Sequence, residues 1–431
     1  MKARSPRCWH RWGSVKEFSY RAKKITRDES NALVFYRAMC FIPAVKANPG
    51  GQISPENIYG RDEIIASYWR ILDGQGIYIN DLRRIGKTQI MVKMHAEPPS
   101  GWVTVKADLG RCHTAAEFAT RAFKDSHAVL SGKNKTLRTM EKWFGKLGEL
   151  EIAGVLKLPG QNTVAPWKEV LERTFADLEE AMTAMNCRMV FFWDEVPFLL
   201  DNIARKEGPE TAMEVLDTLR SLAQDYDRVR LFLTGSIGLH HVLASLKEDG
   251  YIGTPLNRMA HCQPGPLEKR DAQQLAQALI NGEQLHSNDA SSLAAHIANL
   301  TGNVAFYIHL LISRLAPGEN LTPASVTACL KQQLVSKAAD WDLPHYQDRL
   351  PKYYGTKAVS ALHVLDALAA GKSLGFAEIR NAVATKIVCD EDELRKLLEL
   401  LCSDHYLVKS QEGYAFYLEI VRHWWALTRN P

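Results

Sequence analysis

The sequence predicts an α/β protein: a parallel sheet covered by helices on both faces, continued by an all-helical region and closed by a small module of helices and a β-hairpin. Three observations predict it. Short apolar runs at 77–80, 102–109, 189–193 and 230–234 alternate with helical stretches, as strands buried on both faces do. After Pro266 the strand-like runs stop, and 267–341 reads as helical throughout, punctuated by Gly302 and Pro323. Residues 356–407 then hold three helical segments, followed by Tyr406-Leu-Val-Lys, a Gln-Glu-Gly turn at 411–413 and Tyr414-Ala-Phe-Tyr-Leu418.

Taken in order, residues 44–58 are rich in Gly, Pro and Asn and form a loop leading into the first domain. Tyr59-Gly-Arg-Asp-Glu63 opens a helix whose apolar face carries Ile64, Ile65, Tyr68, Trp69, Ile71 and Leu72. Residues 114–185 read as mostly helical, broken by an apolar segment around 152–158 and a turn at Pro159-Gly160.

The length of 431 residues accommodates about two to four domains. Hydrophobic residues at 46% fill ordinary cores and exclude wholesale disorder, while a formal charge of +4 is too near neutral to mark the whole chain as nucleic-acid-binding. Eight cysteines at 8, 40, 112, 187, 262, 329, 389 and 402 contain no C-x-x-C pair, which fits a reducing cytoplasm better than a disulfide or zinc framework. No apolar run approaches the roughly 20 residues that span a bilayer, and the N-terminus lacks the apolar stretch of a secretory signal. A cytoplasmic protein with no membrane partner is expected. Residues 1–24 carry eight basic side chains against Glu17 alone. They read either as an arm for an acidic partner or as a solvated extension, with Met39 an alternative start.

The segment Ile77-Tyr-Ile-Asn-Asp-Leu-Arg-Arg-Ile-Gly-Lys-Thr-Gln-Ile90 has the order strand, turn, helix that a phosphate-binding loop requires. Backbone N–H groups from Ile85, Gly86 and Gln89 and the helix N-terminus would face the anion, Lys87 would reach the outer phosphates, and the Thr88 hydroxyl would ligate Mg²⁺. Asp81 stands where the Walker A pattern has its first glycine, which puts a negative charge beside phosphates and predicts slow hydrolysis or a differently built turn. The run Met189-Val-Phe-Phe-Trp-Asp194-Glu195 supplies the second half of such a site. A buried strand delivers carboxylates to its carboxyl end, Asp194 for Mg²⁺ and Glu195 to deprotonate the attacking water. Thr234 and Ser236, at the end of the next strand, read either as γ-phosphate sensors or as turn residues around Gly235.

These motifs, together with Asn48-Pro-Gly-Gly, Gly60-Arg-Asp-Glu63, Arg83-Arg-Ile-Gly-Lys-Thr88, Asp194-Glu-Val-Pro-Phe-Leu-Leu200, Thr301-Gly-Asn303 and Val421-Arg-His-Trp-Trp425, resemble the archaeal-type ATPases, a STAND/AAA+-related branch of P-loop NTPases. The resemblance covers roughly 47–431. It implies a basic extension at 1–46, a P-loop ATPase core at 47–266, a helical lid at 267–345 and a winged-helix domain at 346–431. It further implies an ATP·Mg²⁺-dependent ATPase switch of low turnover acting on a protein partner or effector, in a mobile-element or defence setting, with homo-oligomers open. By the same resemblance Tyr59 and Gly60 lie near adenine, Tyr59 alternatively plugging the domain boundary. Arg83 and Arg84 either stabilise γ-phosphate charge, the role given to Arg84, or pair with an acidic neighbour and brace the loop. Arg258 is the arginine-finger candidate, and otherwise a surface or lid-bracing residue.

A winged helix raises the alternative of a DNA-binding AAA+ protein, and Asp81 that of a nucleotide-holding scaffold without turnover. The third helical segment opens Asp390-Glu-Asp-Glu393, charges that oppose a phosphate-lined groove but suit a helix N-terminus. Packing on the core or on a protein partner is therefore favoured over nucleic acid. Trp424 and Trp425 read as core rather than as an exposed partner site.

Overall fold

The computed structural model describes residues 45–131, 166–235, 239–248, 250, 256–371, 373–388 and 390–429. The basic extension up to residue 44, the segment around 152–160 and Ser236 lie outside the described residues. Residues 45–431 belong to one compact unit.

The chain forms α1 (Asp62–Leu72), β1 (Ile77–Asn80), α2 (Lys87–Ala96), β2 (Trp102–Asp108), α3 (Ala115–Ser131), α4 (Trp167–Ala184), β3 (Arg188–Asp194), α5 (Val196–Glu207), α6 (Pro209–Asp225), β4 (Val229–Gly235), α7 (Leu239–Glu248) and β5 (Ala260–Cys262). The strands make one parallel sheet in the order β2-β3-β4-β1-β5. Four of them fall where the sequence places them. The fifth, β5, was not anticipated: Ala260-His-Cys is short, partly exposed and carries no apolar run.

Period-two alternation within buried strands explains the two helical layers. Phe191 and Trp193 of β3, with Leu231 and Leu233 of β4, face α3–α6. Val190, Phe192 and Phe232 face Tyr68, Trp69 and Leu72 of α1 and Ile90 and Met94 of α2. Phe175 stacks on Phe191 at 5.1 Å and Trp69 meets Phe192 edge-on at 6.1 Å, so aromatic rings fill both sides of the central strand. Register brings the carboxyl ends together, with Asn80 beside Gly235 and Asp108 beside Asp194.

The helical region contains α8 (Lys269–Gly282), α9 (Ala290–Leu300), α10 (Ala305–Ser313) and α11 (Pro323–Ser336), then α12 (Pro344–Tyr354). The terminal part has α13 (Ala358–Ala370), α14 (Phe376–Ala384), α15 (Glu391–Ser403), the antiparallel pair β6 (Leu407–Ser410) and β7 (Gly413–Phe416), and α16 (Glu419–Arg429). Three helices then a hairpin is the element order expected of a winged helix. The Asp390 side chain caps α15, accepting from the N–H groups of Asp392 and Glu393 at 2.9 and 3.2 Å, so the acidic cluster serves its own helix. Trp424 and Trp425 are buried, and Trp425 Nε1 donates to Asp366 at 2.8 Å. A single apolar core runs from Leu267 to Trp425, and Leu82 and Ile85 of the phosphate loop insert into it.

Gly282 closes α8 against Val45. A Cβ there would lie 1.9 Å from the Val45 carbonyl oxygen. Gly282→Ala is expected to lower stability by about 1–3 kcal/mol in denaturant unfolding, by overpacking a site bounded by backbone.

Candidate functional site

The site grows from the turn after β1. Asp81 is buried, and its carboxylate turns away from the crevice: Oδ1 accepts from Leu82 N–H at 2.7 Å and Oδ2 from Gly265 N–H at 2.8 Å. The left-handed residues of the loop are Arg84 (φ 69°) and Gly86 (φ 103°). The turn is therefore built without a glycine at 81. Arg61 completes the anchor, donating to the carbonyls of Ile85 (2.9 Å), Pro264 (3.1 Å) and Gly265 (2.8 Å). Burial pulls its pKa down, and the charge of Asp81 nearby works against that shift.

Gly86 caps α2, and Lys87 follows. Lys87 Nζ donates to the carbonyls of Asp81 and Leu82 at 2.7 and 2.6 Å. Burial lowers its pKa to about 8, against the raising influence of Asp81, Asp194 and Glu195. Asp194 ends β3 with both oxygens engaged: Oδ2 accepts from the Thr88 hydroxyl at 2.7 Å, and Oδ1 from the Thr234 hydroxyl and from Glu195 N–H at 3.0 Å. Thr234 is fully buried and acts on Asp194. Glu195 takes φ 61° at the N-cap of α5.

A cavity of about 630 Å³ opens beside Lys87 and Asp194. Arg83, Arg84, Gly86, Lys87, Thr88, Gln89, Asp194 and Glu195 all face it, Thr88 and Asp194 meeting across 106 residues of sequence. Ile85 does not: its side chain is buried in the helical core and its carbonyl serves Arg61. Arg83 and Arg84 both pair with Asp342, at 2.8 and 3.0 Å, and Arg84 lies over the Phe306 ring at 4.5 Å. Tyr59 and Gly60 line a separate cavity of about 430 Å³ with Arg61, Lys93, Pro264 and Asp271. Arg258 is exposed and lines neither.

Sequence reasoning missed Ile53, Asp108, Gly110, Ala305, Phe306 and His309, and noted Asn48, Gly50, Gly51 and Phe198 only within motifs without assigning them to the site; together they complete the large cavity. The aromatic pair Phe306 and His309, three residues apart on the apolar α10, was the available signal. His309 Nδ1 accepts from Asn48 N–H at 3.2 Å, and burial lowers its pKa to about 4. The ring is thus neutral at ordinary pH with its proton on Nε2.

The Walker-type ATPase of Pyrococcus abyssi superposes with a TM-score of 0.58 at 18% identity, covering 86% of this chain and 96% of that one. The fold is that of a P-loop NTPase. The Aeropyrum pernix ORC2 protein (ADPNP-ADP complexes) is similar at TM-score 0.46 and 12% identity, over 86% of this chain and 93% of that one. The Thermotoga maritima RuvB Holliday junction branch migration motor follows at TM-score 0.37 and 11% identity, over 83% and 92%. No protein-family model and no curated protein matches the sequence. Among the described residues no helix is long and apolar enough to cross a membrane.

Within this P-loop fold, restoring the pattern's glycine is expected to harm the protein. Asp81→Gly removes two hydrogen bonds to a charged acceptor, one buried and one half-buried. A loss of about 2–3 kcal/mol in denaturant unfolding is expected, with Asp81→Asn intermediate.

Proposed function

We propose that the protein is a nucleotide-driven switch that binds ATP with Mg²⁺ and hydrolyses it to ADP and phosphate at low turnover. The observation that carries this reading is the convergence of Lys87, Thr88, Asp194 and Glu195 on one cavity. Lys87 and the N–H groups at the start of α2 bind the outer phosphates. Doing so exchanges the Asp81 and Leu82 carbonyls now held by Lys87 for phosphate oxygens, which offsets part of the binding energy.

The Thr88 hydroxyl and Asp194 carboxylate, 2.7 Å apart, are a hard-oxygen pair suited to Mg²⁺. Among the described residues no cluster of three or more His, Cys, Asp or Glu forms a protein-only cage. That suits an ion held by few protein ligands, water and phosphate. When bound, Mg²⁺ neutralises phosphate charge. Thr234 orients Asp194, and Glu195 accepts the proton of the attacking water. In this reading the segment 48–53 and the Phe306–His309 face of α10 enclose the base, while Tyr59 and Gly60 line the neighbouring cavity.

The output is assembly with, or release of, a protein partner. What supports protein over DNA is the α15 N-terminus, whose Asp390 is consumed as a cap and whose Glu391, Asp392 and Glu393 would repel phosphates.

Glu195→Gln is expected to retain ATP binding and lose about 10²–10⁴-fold in turnover, whereas Lys87→Ala loses binding, both read by calorimetry and phosphate release. ATP binding by the wild type with no turnover would leave a scaffold, and steeply salt-dependent DNA binding would replace the protein partner by nucleic acid. Affinity has a definite pH sign. Phosphate needs the ammonium form of Lys87, which the free protein carries below its pKa of about 8. Above that pH, binding must take up a proton, so affinity falls towards about tenfold per pH unit. A titration of Kd between pH 7 and 9 checks this.

A further inference from the structure

We propose that Arg83, Arg84 and Asp342 form a charge latch that the terminal phosphate of a bound nucleoside triphosphate opens, so that phosphate number decides whether the helical region stays fastened to the phosphate loop. This inference rests on the nucleotide reading above. Both guanidiniums pair with the same Oδ2 of Asp342: Arg84 Nε donates to it at 3.0 Å, and Arg83 Nε forms an ion pair with it at 2.8 Å. One carboxylate thus serves two cations and leaves a positive charge uncompensated. Arg83 and Arg84 line the cavity beside Lys87, while Asp342 does not, so the cations stand between the carboxylate and the place for phosphate.

Asp342 is held rigidly. Its neighbours Trp341 and Leu343 are fully buried, Trp341 stacks on Tyr307 at 6.1 Å, and the Asp342 carbonyl accepts from His345 Nδ1. Its φ of 58° is one that a non-glycine residue keeps only when surrounding packing enforces it. Arg84 has the same strain at φ 69°, and its ring contact with Phe306 also reaches the helical region. Every strong contact of Arg84 thus joins the loop to the segments on either side of α11. A terminal phosphate brings more negative charge than one carboxylate and competes for both cations. A diphosphate, one group shorter, leaves the latch closed.

The experiment compares ADP with a non-hydrolysable ATP analogue. In the wild type, the analogue is expected to raise amide hydrogen exchange in residues 337–346, and ADP is not. Asp342→Asn removes the competing charge and is expected to raise the ratio of analogue to ADP affinity by about tenfold, with Asp342→Glu close to wild type. An unchanged ratio in Asp342→Asn, or equal exchange with both nucleotides, overturns the latch. Should Asp342→Asn fail to fold, the wild-type exchange decides alone. Wild-type protein that binds neither nucleotide overturns the nucleotide reading and the latch together, whereas tight binding of both with no difference overturns the latch only.

Discussion

The Asp194 carboxylate is the point on which the site depends. Its two oxygens accept from Thr88 on α2, from Thr234 on β4 and from the N–H that follows it, so three neighbouring chain segments meet on one side chain. Asp194 is 9% exposed, and an unsatisfied carboxylate at that depth would be costly. Satisfying it fixes how far α2 stands from β3, and therefore where Lys87 and Glu195 lie relative to each other. The position of Asp194 is thus set by its own neighbours, while the Lys87 ammonium beside it is held by the Asp81 and Leu82 carbonyls.

The loop itself is fastened from the opposite side. The side chains of Asp81 and Arg61 tie the phosphate loop to Pro264 and Gly265, at the start of the helical region, through hydrogen bonds to backbone groups. Leu82 and Ile85 reinforce that tie by entering the apolar core of that region. The sequence between β1 and α2 thus alternates between residues that face the cavity and residues that anchor the loop.

That division marks what the sequence could convey. Lys87, Thr88, Asp194 and Glu195 were legible because their chemistry needs a strand, a turn and a helix in fixed local order. The sheet was legible through the unbroken apolar run at 189–193 and its counterpart in β4. Asp81 read as a defect because its partner Gly265 lies 184 residues away. The pairing of Arg84 with Asp342 spans 258 residues and belongs to no motif. Phe306 and His309 hid because they sit on a helix that reads as plain core. Helix α12 escaped notice since Pro344 and Pro351 obscure its pattern, although the first sits at a helix start where no N–H is needed.

The apolar core running from Leu267 to Trp425 has a mechanical meaning. Close-packed interiors are poorly compressible and transmit displacement instead of absorbing it. Helices α8 to α16 therefore form one poorly compressible body, held at Leu82 and Ile85 and again where His241 of α7 meets the Asp404 carboxylate beside β6 at 2.7 Å. A displacement imposed at one of these two holds is passed through the body to the other without being absorbed.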